Sequence, residues 1–440
     1  MHQRVLIVGT IPYNPNTSSR AFDAYFHKWE KENIRQIFSN PKTPTKGHCG
    51  SLYQITDARM LKRRFGKVKE TGIIFNYDDC VDDWANSGDL EVGCSFFSKL
   101  YKLGSNKSPF NYLMRKWLWK KKYWNTQKLR DWLDEFKPEC VFLAFSDDFF
   151  INEIALFVAD RFNIPIMTCI GDDYYFNDKF SLSLFYHIYR KKYKKLLDEV
   201  FDHNCSAIYI GDKIRDKYNE HFSIRGETIY LTSDIKRHAF IPINVDNPKI
   251  TYCGNIRLGR NKSLADIGTA LYEINPNYKL EVYSGERSNK YIKPLKKCKG
   301  VEYKGSVPYS EVIKIFNESD IVVIVEGFKK KDVNITRYSL STKAADSIAS
   351  GCNIFTYGSI ECGVIEYMQS TKTSAICYEK GELKKILIKF IDGVEMQKSL
   401  YKNSETVLFE HHNIERSNQI SERLFATLVE EHNEKLRNSN

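Results

Sequence analysis

The strongest constraint on the fold is a repeating order of apolar, strand-like runs and amphipathic helical stretches. The first run, VLIVGT within residues 4–10, is unbroken and apolar, as expected for a strand buried on both faces of a parallel sheet. Similar runs follow at 140–145, 164–171 and 207–211, with helical patterns between them. Alternation of this kind predicts an α/β fold with a doubly wound parallel sheet.

The 440-residue chain is long enough for two such domains. We predict the first domain over residues 1–238, because the pattern then stops, and a proline-containing linker at 239–248. The pattern restarts, which predicts a second α/β domain over 249–412, followed by one long amphipathic helix at 413–440. Residues 41–135 contain few clear strands, and we expect them to form a large insertion in the first domain.

In the second predicted domain, two apolar runs end in glycine, at Gly254 and Gly285. A glycine after a strand lets backbone N–H groups approach a phosphate. The loop after Gly254 carries Arg257, Arg260 and Lys262 before a helix begins. We predict that this loop binds a diphosphate; a solvated basic loop without a ligand is the alternative.

A second candidate segment is a helix in STKAADSIASG. Ser341 and Thr342 are good N-cap residues, and Gly351 is suited to end the helix. Lys343 lies in the first turn, where a cation opposes the helix dipole unless an anion is bound there. Asp346 follows one turn later. These residues predict an anion site, and an ordinary capped helix is the alternative.

The order of these motifs resembles the donor-binding region of family 4-like GT-B glycosyltransferases, of the kind found in bacterial capsular and surface polysaccharide biosynthesis. STKAADSIASGCNIFTYG is similar to the family's donor segment, and Gly305, Val307 and Asp320 are similar to its turn and following strand. The resemblance implies two Rossmann-like domains facing each other across a cleft. It implies an acceptor-binding N-terminal domain, a nucleotide-sugar-binding C-terminal domain, and a final helix that crosses back to the first domain.

The resemblance also implies roles for individual residues. Asp346 corresponds to an acidic residue that holds the donor ribose, whereas Tyr338 stands where the family has another acidic residue. Arg257 and Lys262 are predicted to act in catalysis by stabilising the leaving diphosphate. The predicted donor-binding residues are Gly254, Arg260, Gly285, Val307, Ser341, Thr342, Lys343 and Asp346.

The family resemblance implies transfer with retention at the anomeric carbon. The chain contains adjacent aspartates but no convincing D-x-D motif, which favours protein cations over a metal ion at the diphosphate. We therefore predict no metal site and no cofactor, with a UDP- or GDP-sugar as the donor substrate.

The first domain offers paired carboxylates at strand ends. Asp147 and Asp148 follow one predicted strand, and Asp172 and Asp173 follow the next. Ligands of open α/β sheets bind at this edge, so we predict that Asp172 and Asp173 bind acceptor hydroxyls or act as a base. Helix N-capping is the alternative. We also predict that a helix starts near the same edge, at Thr17, Ser18, Ser19 and Arg20.

The net charge of +11 favours anionic partners. Residues 101–130 contain nine Lys or Arg and no acidic residue, with Trp117, Trp119 and Trp124 among them and Trp132 just beyond. This composition predicts contact with an anionic membrane surface and a glycan or lipid-linked acceptor. A helical subdomain with buried tryptophans is equally compatible. Nucleic acid is disfavoured as a partner because no nucleic-acid-binding module is recognised.

The eleven cysteines are scattered and form no C-x-x-C pair, and neither a secretory signal nor a membrane-spanning run is recognised. We expect a cytoplasmic protein with reduced thiols; peripheral association with the inner face of the cell membrane is left open. The leading hypothesis is a hexosyltransferase. The alternatives are a sugar-nucleotide 2-epimerase of the same fold and a catalytically inactive, transferase-like scaffold protein.

Overall fold

The computed structural model describes residues 2–14, 21–83, 108–233 and 235–439. The chain divides into two compact units. Unit 1 consists of Met1–Ile229 together with Ser417–Asn440, and unit 2 of Tyr230–Arg416. The segment that we expected to be a linker thus belongs to unit 2.

Unit 1 is built on an eight-stranded sheet in the order β4-β3-β2-β1-β5-β6-β7-β8. Its strands are β1 (Val5–Val8), β2 (Ile34–Phe38), β3 (Ser51–Ile55), β4 (Gly72–Asn76), β5 (Cys140–Ala144), β6 (Ile166–Ile170), β7 (Cys205–Tyr209) and β8 (Arg225–Thr228). Neighbouring strands are parallel except β3 and β4, which are antiparallel. β3 and β4 lie inside the region that we expected to be an insertion. SLYQI and GIIFN mix polar and apolar residues, so neither gives a clear apolar run.

Eight helices accompany this sheet before the end of β8 in the described ranges. They are α1 (Ala21–Phe26), α2 (Asp57–Arg64), α3 (Pro109–Leu118), α4 (Lys121–Trp124), α5 (Gln127–Phe136), α6 (Phe149–Phe162), α7 (Leu184–Asp202) and α8 (Asp212–Phe222). Local sequence explains where α3 begins, because Ser108 caps the N–H of Asn111 at 3.2 Å and Pro109 occupies the first turn. The helix ends at Leu118, so residues 101–130 do not form one continuous helix.

Three of the four tryptophans near the basic segment belong to the core. Trp119, Trp124 and Trp132 are at most 4% exposed. Each buried indole N–H is hydrogen-bonded: to Asp57, to the carbonyl of Trp119 at 3.1 Å, and to Ser51 at 3.0 Å, respectively. Trp117 is the exception among these four, with 43% of its surface exposed. The interpretation as a helical subdomain with buried tryptophans therefore fits three of the four residues.

Unit 2 is built on a six-stranded, fully parallel sheet in the order β11-β10-β9-β12-β13-β14. Its strands are β9 (Ile250–Cys253), β10 (Leu280–Tyr283), β11 (Val301–Gly305), β12 (Ile321–Val325), β13 (Asn353–Tyr357) and β14 (Ala375–Cys377). The chain moves outward from β9 to β11 and then returns to β12 on the other side of β9. This reversal makes the β9–β12 junction the topological switch point, where open α/β sheets bind ligands at their carboxyl edge.

The helices of unit 2 pack on both faces of its sheet. They are α9 (Arg260–Ile274), α10 (Asn289–Lys297), α11 (Tyr309–Asn317), α12 (Lys330–Thr336), α13 (Thr342–Ser350), α14 (Gly363–Ser370), α15 (Leu383–Ile391) and α16 (Val394–His411). One apolar cluster lies on the side of α9 and α15, and a second lies on the side of α13 and α14.

The final helix, α17 (Ile414–Ser439), contributes its larger part to unit 1. Phe425 is fully buried against Phe26 and Phe142, with ring centroids 5.8 and 6.0 Å away. The imidazole of His432 bonds the carbonyl of Asn163 at 2.8 Å. Residues far apart in the sequence thus complete one core.

No helix among the described residues is both long and apolar enough to span a bilayer. The ten cysteines in the described ranges are all free thiols.

Candidate functional site

The switch point of unit 2 brings together two strand ends and two helix starts. Gly254 follows β9, and Glu326 follows β12. α9 begins at Arg260, and α13 begins at Thr342 and returns through Gly351 into β13. Because the strands are parallel, both strand ends and the N-terminus of α13 lie at the same edge of the sheet.

Gly254 and Lys343 are in direct contact. The backbone of Gly254 has φ +146°, and a Cβ added there would lie 2.1 Å from the Cε atom of Lys343. The position therefore requires glycine, both for its backbone conformation and for the approach of the lysine. Ser341 caps the start of α13 by accepting the N–H of Lys343 at 3.4 Å. The cap confirms that α13 begins where the sequence predicts.

The ammonium group of Lys343 makes no hydrogen bond or ion pair with any described residue; it lies 5.1 Å from the ring centre of Tyr252. Burial, together with the smaller effect of the nearby positive charge of Arg260, lowers the pKa of Lys343 to about 8. A desolvated cation without a partner is unfavourable unless an anion completes the site. The position of Lys343 is therefore suited to bind a phosphate.

A buried ion pair lies beside Lys343. The guanidinium of Arg260 donates to both carboxylate oxygens of Glu326, at 3.0 and 2.7 Å, and their side chains are 12% and 3% exposed. Ser263 donates to the carbonyl of Glu326 at 2.7 Å and ties α9 to the same strand end. Arg260, predicted to bind the donor, is thus neutralised by a protein carboxylate. Sequence reasoning missed Glu326 in this site; the available signal was a glutamate directly after the apolar run IVVIV.

Because α9 begins at Arg260, both Arg260 and Lys262 lie in its first turn, and the prediction that they precede the helix is wrong. Arg257, in the loop before α9, and Lys262 are both exposed. Arg257 forms an ion pair with Glu286, and hydrogen bonds from Arg257 and from the backbone N–H of Ser288 lower the pKa of this carboxyl to about 2. Lys262 is exposed and has no partner among the described residues. Gly285, in the loop after β10, is also exposed, and an added Cβ would meet its nearest atom, Ser306 Oγ, at 3.6 Å. A larger side chain could therefore be accommodated at position 285.

Asp346 lies one turn after Lys343 and is 6% exposed. Its Oδ1 atom accepts hydrogen bonds from Ser233 at 2.8 Å and from Tyr309 at 3.2 Å. Tyr309 starts α11, two residues after Val307, so the turn that resembles the family pattern contacts the α13 segment. Val307 is half-buried and packs on an apolar cluster. Ser233 was not identified from the sequence because it stands in a segment without a recognisable motif.

The carboxylates of unit 1 lie at strand ends, but most are engaged in local structure. Asp148 pairs with Arg115, which also donates to Asp57 at 3.0 Å, and burial raises the pKa of Asp148. Asp148 precedes α6 but makes no side-chain cap bond. Asp147 accepts a hydrogen bond from Tyr112. Arg115 thus bridges the carboxylates of Asp57 and Asp148. This arrangement differs from both sequence-based interpretations of Asp148, which were helix N-capping and acceptor binding.

Asp172 and Asp173 differ sharply. Asp173 is buried, and its Oδ1 atom accepts from the Tyr218 hydroxyl at 2.8 Å and from the N–H groups of Phe176 and Tyr175 at 2.8 and 3.1 Å. Burial raises the pKa of Asp173. This residue anchors the loop after β6, whereas Asp172 is exposed. Residues 17–20, with Thr17, Ser18, Ser19 and Arg20, lie outside the described residues.

In the ranges that the structure describes, no group of three or more His, Cys, Asp or Glu side chains is arranged to hold a metal ion.

Replacing Gly254 with alanine is expected to destabilise the protein by about 1–3 kcal/mol, because a side chain at φ +146° is strained and displaces Lys343. Urea unfolding measures this change. Gly285→Ala is the matched control and is expected to change stability by less than about 1 kcal/mol, since its Cβ makes only an ordinary van der Waals contact, 3.6 Å from Ser306 Oγ. Equal effects of the two variants would contradict the close contact between Gly254 and Lys343.

Comparison with known sequences finds no family model that matches the chain. No curated protein matches it either.

Comparison with solved structures finds similar folds over nearly the whole chain. HepE of Anabaena in complex with UDP has a TM-score of 0.55 and 11% identity, covering 96% of this chain and 100% of that one. A glycosyltransferase of Rickettsia africae gives 0.54 and 10%, covering 97% and 99%. An α,α-trehalose-phosphate synthase (UDP-forming) of Burkholderia vietnamiensis gives 0.58 and 7%, covering 98% and 99%. The chain has the GT-B fold of these glycosyltransferases.

Proposed function

We propose that the chain is a glycosyltransferase that moves a sugar from a nucleotide-sugar donor to a glycan or a lipid-linked saccharide in surface polysaccharide synthesis. The observation that carries the proposal is the ammonium of Lys343, which packs on Gly254 at the switch point of unit 2 and has no hydrogen-bond or ion-pair partner among the described residues. The diphosphate of a nucleotide sugar carries the negative charge that complements this ammonium.

The chemistry requires stabilisation of the leaving diphosphate as the bond between sugar and phosphate breaks. Fixed charges in a partly desolvated site stabilise developing negative charge more effectively than water does. Lys343 supplies one such charge, and Arg257, in the loop before α9, and Lys262, in its first turn, supply two more. The N–H groups of Arg260 and Asn261 donate to loop carbonyls at 3.2 and 3.0 Å. Side-chain cations, more than the amides at the start of α9, would therefore bind the diphosphate without a metal ion.

The first donor to test is a uridine diphosphate sugar. HepE of Anabaena has been solved with UDP-glucose, and the E. coli trehalose-6-phosphate protein with UDP-2-fluoro glucose. In this chain Asp346, held by Ser233 and Tyr309, is the proposed ligand of the donor ribose. A GDP-sugar remains the second donor in the proposal.

On the acceptor side, Asp172 is the proposed ligand of acceptor hydroxyls, because it is exposed at the carboxyl edge of the unit 1 sheet. Asp173 supports it by fixing the same loop. A cytoplasmic location is part of the proposal and is supported by the free state of all ten described cysteines.

A screen of UDP-, GDP- and dTDP-sugars by thermal unfolding tests the donor site. A donor at about 100 times its Kd is expected to add about 2.7 kcal/mol of stability and to raise Tm accordingly. Transfer to an acceptor saccharide in the presence of a chelator, with the product anomer assigned by NMR, then tests the reaction and its retention. Free epimerised nucleotide sugar without acceptor would identify an epimerase instead. Binding without transfer or hydrolysis would identify a scaffold, and no stabilisation by any nucleotide would contradict the site.

A further inference from the structure

Unit 1 exposes a group of large apolar side chains just before and at the start of α7, which we name the α7 tip. It consists of Phe180, Leu182, Leu184 and Phe185, exposed by 92%, 90%, 70% and 49%. Single exposed apolar residues are common on protein surfaces, but four within six positions are not. The α7 tip is therefore a candidate interaction surface.

Hydrogen bonds to two residues of α7 fix the loop that carries the α7 tip. Buried Arg190 donates to the carbonyls of Tyr174 and Tyr175 at 2.8 and 2.6 Å and to Asp178 at 2.7 Å. The N–H of Lys179 donates to the hydroxyl of Tyr186 at 2.8 Å. The fold thus fixes this loop while directing Phe180 and Leu182 into solvent.

A second apolar stripe continues the same surface. Phe110, Met114 and Trp117 recur at helical spacing along α3 and are 49%, 46% and 43% exposed. Phe110 contacts Phe185 with ring centroids 5.3 Å apart. Two residues further along α3 and four further along α7, Tyr112 stacks on Tyr189 with ring centroids 4.8 Å apart, so the first turns of the two helices lie side by side. The stripe and the α7 tip form one surface.

Lysines follow the apolar residues on both helices. Along the exposed side of α7, Leu184 and Phe185 are succeeded by Lys191 and Lys192, which have no ion-pair partner among the described residues. On the other helix, α3 is followed by the exposed residues Lys120, Lys121 and Lys122. Apolar side chains with exposed lysines next to them match an anionic lipid interface, where acyl chains lie beneath charged headgroups.

We propose that the α7 tip and the α3 stripe insert into the surface of a bilayer containing anionic lipids, with Lys191 and Lys192 against the headgroups. Trp117, whose ring lies 3.0 Å from the guanidinium carbon of Arg64, takes the interfacial position that tryptophan favours. This surface replaces the tryptophan cluster that the sequence suggested, because the other three tryptophans are core residues. The proposal does not depend on the donor site, so vesicle binding and nucleotide binding test the two separately.

Co-sedimentation with vesicles tests the surface in the full-length protein. Vesicles with about one third phosphatidylglycerol are expected to bind at least about tenfold more protein than pure phosphatidylcholine vesicles. The double variant F180S/L182S is expected to lose about tenfold or more of this binding while keeping its Tm, because both side chains are already in water. Phe409→Ser is the matched control, since Phe409 is 70% exposed on α16 of unit 2, and it is expected to bind like the unmodified protein.

Two further measurements separate the lipid from other occupants. K191E/K192E is expected to weaken binding to anionic vesicles only, and quenching of tryptophan fluorescence by brominated lipid is expected to fall in Trp117→Phe. Unchanged vesicle binding by F180S/L182S would overturn the proposal. So would a dimer in light scattering that F180S/L182S dissociates and that does not bind vesicles, because the surface would then bind a second copy of the chain.

Discussion

Replacing Lys343 with methionine is expected to weaken binding of a nucleoside diphosphate by about 10- to 100-fold and to stabilise the ligand-free protein. The ammonium supplies a charge-assisted contact to the diphosphate, and such a contact is worth about 1.5–3 kcal/mol. Methionine keeps an unbranched apolar chain against Gly254 and Tyr252 but removes the charge. Isothermal titration calorimetry with UDP and GDP measures the loss of affinity.

Lys343→Met weakens nucleotide binding but stabilises the ligand-free protein, because the folded protein disfavours the charged lysine. The pKa of Lys343 is lowered to about 8 in the folded protein, so below this pH the protonated side chain reduces the free energy of unfolding. That penalty is relieved as pH rises from about 8 towards the ordinary lysine value. The gain from Lys343→Met at pH 7 is about 1–2 kcal/mol, after a discount for the partial exposure of the side chain. Urea unfolding at pH 7 and at pH 10 measures it, and the difference from the unmodified protein is expected to shrink at the higher pH.

Binding by the unmodified protein is expected to depend on pH in the same range. Only the ammonium form attracts the diphosphate, so UDP affinity falls as pH rises through about 8. Lys343→Arg keeps the charge at all these pH values and is expected to remove the decline. Lys389→Met on α15 is the control, because Lys389 is exposed and distant in sequence from the site. Equal affinity losses in Lys343→Met and Lys389→Met would refute the assignment of the diphosphate to Lys343.

The local part of this site could be predicted from the sequence. The N-cap of α13, the glycine that ends it and the position of Lys343 in its first turn follow from residues within a few positions of each other. The partner of Arg260 could not be predicted in the same way, because Glu326 is far along the chain and meets it only through the reversal between β9 and β12. The carboxylate pair of Asp172 and Asp173 illustrates the same limit, since adjacent identical residues have opposite burial.

The fold followed from the sequence where strands are continuous apolar runs, as in β1 and β12. It did not follow where strands are short and mixed, as in β3 and β4, since their burial depends on neighbouring strands. The tryptophans near residue 120 could be interpreted as membrane-facing or as core from composition alone. Only packing distinguished Trp119, buried with its N–H bonded to Asp57, from exposed Trp117.

Substituting Glu326 with glutamine is expected to have the largest effect on stability, with a loss of about 3–5 kcal/mol. The change leaves the buried guanidinium of Arg260 without a counter-charge, while an amide of nearly the same shape still fills the space. Urea unfolding at pH 7 measures the loss. The double variant Arg260→Met/Glu326→Leu removes both charges and is expected to recover most of it, because apolar residues of similar volume often replace a buried ion pair at little cost.

The same variants test whether the pair also adjusts the donor site. The charge of Arg260 lowers the pKa of Lys343 and the charge of Glu326 raises it. Loss of the carboxylate alone therefore moves the decline of UDP affinity to a pH below about 8, whereas loss of both charges does not move it downward. If the ion pair only stabilised the fold, Glu326→Gln would lower stability without moving the pH at which UDP affinity is half lost, which we call the pH midpoint. If Glu326→Gln changed the free energy of unfolding by less than about 0.5 kcal/mol and left the midpoint unchanged, the ion pair would not be closed in solution. A midpoint that shifts in Glu326→Gln and returns in the double variant would show that Glu326 offsets the repulsion between Arg260 and Lys343 and so keeps Lys343 charged at neutral pH.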